Sequence, residues 1–93
     1  MKKILLSLYI TGKTPRSNNA IQSLRSLCQN ELKGEADIEI TDVLERPQLA
    51  ETEKILATPT LIKKLPSPLR RIIGDLSDKE KVLLGLELIT GRE

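Results

Sequence analysis

Val82-Leu83-Leu84-Gly85-Leu86-Glu87-Leu88-Ile89 reads two ways, and the choice between them decides the fold. As a helix it puts Val82, Leu86 and Ile89 on one face. As a strand it puts Val82, Leu84, Leu86 and Leu88 on one face at period two. Gly85 costs a helix interior roughly 1 kcal/mol relative to Ala, which weighs against the helix. Immediately upstream, Ser77-Asp78-Lys79-Glu80 has the form of a capping box. Ser77 is placed as N-cap and Glu80 reaches back to it, so the helix is favoured. Leu69 to Leu76 shares the ambiguity, because Leu69, Ile72, Ile73 and Leu76 also have helical spacing. Pro66 and Pro68 force a turn before it, and Leu69 to Gly74 is read as a short strand.

Working outward, Ile4 to Ile10 is almost continuously apolar, as in a central strand covered on both faces. Thr11 to Pro15 is a turn. A helix is predicted from about Ser17 to Leu32, with Ile21, Leu24, Cys28 and Leu32 as its apolar stripe and Gly34 just past its end. Ala36 to Val43 alternates, with Ile38 and Ile40 on one side and Asp37, Glu39 and Thr41 on the other, which marks a half-exposed edge strand. Two strands joined by a helix are expected to run parallel. A short helix can start at Pro47. Thr58-Pro59-Thr60-Leu61-Ile62 opens another strand. The sum is an α/β chain of order β-α-β-α-β-β-α, a thioredoxin-like fold in a single domain spanning residues 1–93. The alternative is a fold whose C-terminal segment is a strand.

The 93 residues support one modest core. That core is aliphatic, because Tyr9 is the sole aromatic side chain of the sequence. Stacking platforms for single-stranded nucleic acid therefore lack their main component. A net charge of +2 is too small to argue for DNA or an anionic membrane. Met1-Lys2-Lys3 followed by an apolar run imitates the start of a signal peptide. The run is short, Lys13 and Arg16 follow it, and no small-residue cleavage site appears, so it reads as a strand. No apolar run is long enough to span a membrane. A cytoplasmic location is expected.

The sequence contains no His, which removes the commonest general base and metal ligand. No Cys or acidic cluster has metal-ligand spacing. Gly12-Lys13-Thr14 sits between a strand and a helix, as a phosphate loop would. The glycine that such a loop needs five residues earlier is Ser7, so the amide cradle is incomplete. Thioredoxins carry redox cysteines in the turn after the first strand, whereas Thr11 to Pro15 holds no thiol. Cys28 lies on the apolar stripe of its helix and reads as a buried structural cysteine, since reactive thiols need an exposed electropositive setting. The residues thus point away from an enzyme and call for no cofactor or metal. Lys63-Lys64 and Arg70-Arg71 flank the turn Pro66-Ser67-Pro68. They form either a solvated rim or a basic patch for an acidic partner surface. The edge strand Ala36 to Val43 offers a place for a partner's strand.

The run Asp42-Val43-Leu44-Glu45-Arg46-Pro47-Gln48-Leu49-Ala50, continuing through Lys54-Ile55-Leu56-Ala57-Thr58-Pro59-Thr60-Leu61, closely resembles the KaiB family. So do Leu65 to Ser77 and the opening Leu8 to Pro15. The resemblance covers nearly the whole chain. It implies a cyanobacterial circadian clock protein without enzymatic activity, which binds a hexameric KaiC-type ATPase and a KaiA-like protein and competes with a KaiB-like sensor kinase. It also implies two folds: a tetrameric ground state and a thioredoxin-like monomer competent to bind the ATPase. On this basis Leu44, Glu45, Arg46, Pro47, Leu49, Lys54, Lys63, Arg70 and Arg71 are expected at the partner surface. Pro59, Pro66, Pro68, Gly85 and Glu87 are expected to govern fold switching, with slow proline isomerisation as one contributor.

Departures from the family pattern are Asn19 in place of a basic residue, Glu45 in place of a lysine, Glu87 in place of an aspartate, and an ending at Glu93 where clock members continue into an acidic tail. The missing tail and the capping box favour the thioredoxin-like state. Two other readings stand beside this one: a thioredoxin-fold redox or stress protein, and the sensor domain of a KaiB-like histidine kinase.

Overall fold

The computed structural model describes residues 4–88. Strand β1 (Ile4–Ile10) leads through Thr11 to Thr14 into helix α1 (Pro15–Asn30), strand β2 (Ala36–Asp42) and helix α2 (Pro47–Thr52). Strands β3 (Thr60–Leu65) and β4 (Arg70–Ile73) and helix α3 (Lys79–Gly85) follow. The order is the predicted β-α-β-α-β-β-α. The sheet runs β2-β1-β3-β4. β1 and β2 are parallel, in register from Ile4 against Ala36 to Ile10 against Asp42. β3 lies antiparallel to both β1 and β4. β2 is an edge strand, as its alternation indicates.

The pleat of β1 sorts its side chains. Leu6, Leu8 and Ile10 join the core with Ala20, Leu24, Leu27 and Cys28 of α1, Leu61 of β3, and Leu76, Val82, Leu83 and Leu86 around α3. Ser7 and Tyr9 alternate onto the opposite face, where they are also buried, and the Ser7 hydroxyl donates to Glu39 Oε1 at 3.1 Å. β1 is therefore covered on both sides.

Helix α1 starts two residues before the predicted Ser17. Thr14 is its N-cap and accepts the Ser17 N–H at 3.1 Å, with Pro15 in the first turn, where its missing N–H costs nothing. The stripe is broader than predicted, because Ala20 and Leu27 are buried while Ile21 and Leu32 sit at its margin.

Two details at α3 differ from the sequence reading. The N-cap is Asp78, whose Oδ1 accepts the Lys81 N–H at 3.2 Å. Ser77 does not cap, because its hydroxyl and its amide are both engaged by the Asp75 carboxylate at 2.9 Å. The helix also stops at Gly85 rather than near Ile89, and Ile89 lies outside the described residues. The stop is a Schellman motif. The Glu87 N–H donates to Leu84 O and the Leu88 N–H to Leu83 O, and half-buried Leu88 packs on the core that includes Leu83. The left-handed position belongs to Glu87, with φ of 58°, where glycine is the usual occupant.

Gly85 has another use. A Cβ there would stand 2.9 Å from Ile72 Cδ1, so the glycine lets α3 lie close on β4. Arg70 Nε adds a 2.7 Å bond to Glu87 Oε2 between the same elements. The bonds preceding Pro59, Pro66 and Pro68 are all cis. No described helix is long and apolar enough to cross a membrane.

The left-handed stop gives a direct test. Glu87→Gly and Glu87→Ala both delete the ion pair to Arg70, but only Gly relieves a conformation costing about 1 kcal/mol for an L-residue. Urea unfolding should find the Gly variant more stable than the Ala variant by about that amount. Equal stability, or a more stable Ala variant, would place the helix stop elsewhere.

A candidate partner-binding face

Helix α2 is six residues long and buries none of its side chains. It is held by its ends. At the start, Asp42 closes β2 and its Oδ1 accepts two backbone amides, Gly12 N–H at 3.0 Å and Leu44 N–H at 2.9 Å. This joins the β1–α1 turn to the segment that leads into α2. Gly12, with φ of 66°, carries the turn past Leu44, whose Cδ1 lies 3.4 Å from where a Cβ would be. At the far end, Lys54 turns left-handed at φ of 57°. Arg71 clamps that turn by donating to Glu53 O at 2.9 Å and Lys54 O at 3.2 Å. Lys64 lies 4.0 Å from the Glu53 carboxylate.

This frame holds three leucines out among polar side chains. Leu44 is 67% exposed, Leu49 38% and Leu56 93%. Glu45, Arg46, Gln48, Leu49 and Thr52 line a shallow depression on this face. Beneath the clamp, Tyr9 is buried, and its hydroxyl is pushed above the ordinary tyrosine value chiefly by loss of solvent. The Gly12 amide, committed to Asp42, is not free to cradle a phosphate, which agrees with the incomplete motif around Gly12-Lys13-Thr14.

The structure brings Leu44, Glu45, Arg46, Pro47, Leu49 and Lys54 into one neighbourhood and ties Arg71 to it. It does not do so with every basic residue. Lys63 is fully buried (0% exposed) in β3, so it is not part of a solvated rim. Arg70 turns to Glu87 beside α3, away from its neighbour Arg71, because adjacent strand residues point to opposite faces. Sequence reasoning missed the role of Asp42 and the projection of Leu56. The signal for the first was present: an Asp at a strand end, able to accept the N–H two residues on, is a standard turn-former.

The residues 7–88 match the KaiB domain family. The chain belongs to the KaiB family. It is 58% identical over 88 residues to the "Circadian clock oscillator protein KaiB" of Prochlorococcus marinus (strain MIT 9312), covering 95% of this chain and 84% of the relative. It is 57% identical over 89 residues to "Circadian clock protein KaiB3" of Synechocystis sp. (strain ATCC 27184 / PCC 6803 / Kazusa), covering 96% and 87%. Among solved structures, the N-terminal domain of Synechococcus elongatus SasA superposes with a TM-score of 0.75 at 25% identity, covering 100% of this chain and 91% of that one. Mitochondrial thioredoxin 3 from Saccharomyces cerevisiae gives 0.73 at 19% identity, covering 96% and 81%, which shows a shared fold. The fold of this KaiB-family chain is thus thioredoxin-like, and its family is that of circadian clock proteins.

The turn after β1, Thr11 to Pro15, carries hydroxyls where thioredoxins carry cysteines. Thr11 and Thr58 hydroxyls meet at 2.7 Å beside the first turn, and no thiol is there. Cys28 is buried, and burial pushes its thiol up to about 11. The folded chain should therefore resist iodoacetamide at pH 8 and react after unfolding in urea, followed by mass spectrometry. Rapid labelling of the native protein would show that Cys28 is accessible and ionised.

Proposed function

We propose that this chain is a non-enzymatic clock regulator that binds a hexameric KaiC-type ATPase through the α2 face, and that it does so in the thioredoxin-like state. The observation that carries the reading is α2 itself: a helix with no buried side chain, fixed at both ends, carrying exposed Leu49 and flanked by exposed Leu44 and Leu56. Apolar side chains held out on a rigid frame are the usual make-up of the centre of a protein–protein interface. Arg46 and Lys54 supply charge at its rim, with Arg71 bracing it from below. The edge of β2 is a second surface, suited to strand addition by a KaiA-like partner. Identity of 57–58% to named circadian clock proteins supports the clock role.

Fold switching belongs to the same proposal. It is supported by the double periodicity of Val82 to Ile89 and by what the helix leaves out: Leu84 is 40% exposed in α3, although it would share a face with Val82 and Leu86 in a strand. Leu65, Leu69 and Ile73 are exposed around β4 as well. A state that buries them differently has apolar surface to gain. The thioredoxin-like state would be the monomer, and the alternative the tetramer.

The binding test is co-elution of the purified chain with a KaiC-type ATPase in the presence of ATP. Leu44→Asp and Leu49→Asp are expected to weaken the complex about tenfold or more each, the scale of an interface hot spot, while circular dichroism stays unchanged. No co-elution of the wild-type chain at ~50 µM would remove the clock-ATPase assignment, since a working partner binds far more tightly than that.

A further inference from the structure

A cleft of about 660 Å³ lies between one face of α1 and the loop that joins β4 to α3. It shares no residue with the α2 face. Arg16, Asn19 and Ser23 stand along its helical wall, Asp75 and Ser77 on its loop wall, and Pro59 forms part of the floor. A cleft of this size with convergent polar groups has the dimensions of a small-molecule site.

Two charged side chains line it, Arg16 on the helical wall and Asp75 on the loop wall. Asp75 is locked in place. Oδ1 accepts the Ser77 N–H and Oδ2 the Ser77 hydroxyl, both at 2.9 Å, which leaves each oxygen a further lone pair. Those bonds, with Arg16 and Lys81 nearby, hold its carboxyl below the ordinary aspartate value. Arg16 is close enough to be felt, yet the two do not form an ion pair. Among the described residues, Arg16 has no carboxylate within ion-pairing distance. Two opposite charges therefore face each other across an open cleft without meeting. A ligand that carries the two charges at its two ends completes both. Its carboxylate takes the guanidinium in the two-pronged geometry Arg favours, and its ammonium takes the free side of Asp75. Asn19 and Ser23, further along the helical wall, offer donors and acceptors for an amide backbone. Pro59 gives a small apolar side chain a place to rest.

We propose that this cleft binds a small zwitterion, a short peptide with free termini, with its carboxylate on Arg16 and its ammonium against Asp75. The site is independent of the clock-partner reading, and its test involves no clock protein.

The test is an NMR titration of the full ¹⁵N-labelled chain with trialanine, with N-acetyl-trialanine and with trialanine amide. Trialanine is expected to produce saturating shifts at the Asn19, Leu76 and Ser77 amides with Kd near ~1 mM, as two charge-assisted contacts at an open site allow. Blocking either terminus should weaken binding about fivefold or more. Arg16→Gln, at an exposed helix position, should abolish the preference for the free carboxylate, and Asp75→Asn the preference for the free amine. Absence of saturable shifts up to ~20 mM would overturn the proposal. Equal binding of the blocked peptides, or wild-type preferences retained in Arg16→Gln, would overturn it too.

Discussion

Gly85 lets α3 lie against β4 so closely that an added Cβ would stand 2.9 Å from Ile72 Cδ1, and the second half of the chain is arranged around that contact. Once α3 is seated there, Val82, Leu83 and Leu86 close the core over Leu61 and beside α1. Each such side chain contributes roughly 1.5–3 kcal/mol by leaving water. The β4–α3 loop then has a fixed path, which places Asp75 opposite α1. β4 in turn presents Arg71 to the end of α2. The exposed face of α2 thus depends on a helix–strand contact on the other side of the sheet.

The same region carries small opposing terms. Leu84 is left 40% exposed, Glu87 occupies a left-handed conformation, and the Arg70–Glu87 pair that accompanies it is half exposed and therefore weak. The first half also holds a left-handed non-glycine residue, Lys33 with φ of 53°, but its strands are tightly joined. β1 is covered on both faces, β1 and β2 pair in unbroken parallel register, and Asp42 satisfies two amides at once. A chain with a firm first half and a lightly balanced second half is what the proposed exchange of folds requires, since two packings of one sequence must differ by only a few kcal/mol.

The order of elements was legible because β1 is nearly all apolar, α1 has a clear stripe and prolines punctuate the second half. The α3 start was legible to within one residue. Ser77 and Asp78 are both good caps, and what separates them is Asp75, which occupies Ser77 from outside the motif. The α3 end was not legible, because the conformation expected of a glycine falls on Glu87 while the glycine nearby serves packing. Pro47 marked the start of α2 and the KaiB resemblance marked the segment as a partner surface, but neither showed that α2 buries nothing, which depends on how its two ends are tied. The basic pairs misled in a simple way. Lys63-Lys64 and Arg70-Arg71 look like patches along the sequence, yet a strand sends neighbours to opposite faces, so Lys63 is buried and Arg70 and Arg71 serve different helices.

The central claim is that the segment after β4 is a short helix seated on the sheet. Backbone chemical shifts from NMR test it most directly. The account predicts helical shifts across Lys79 to Gly85, a left-handed signature at Glu87, and contacts from Ile72 methyls to the Gly85 α-protons. Extended shifts from Val82 to Leu88 in the major species, without those contacts, would contradict it.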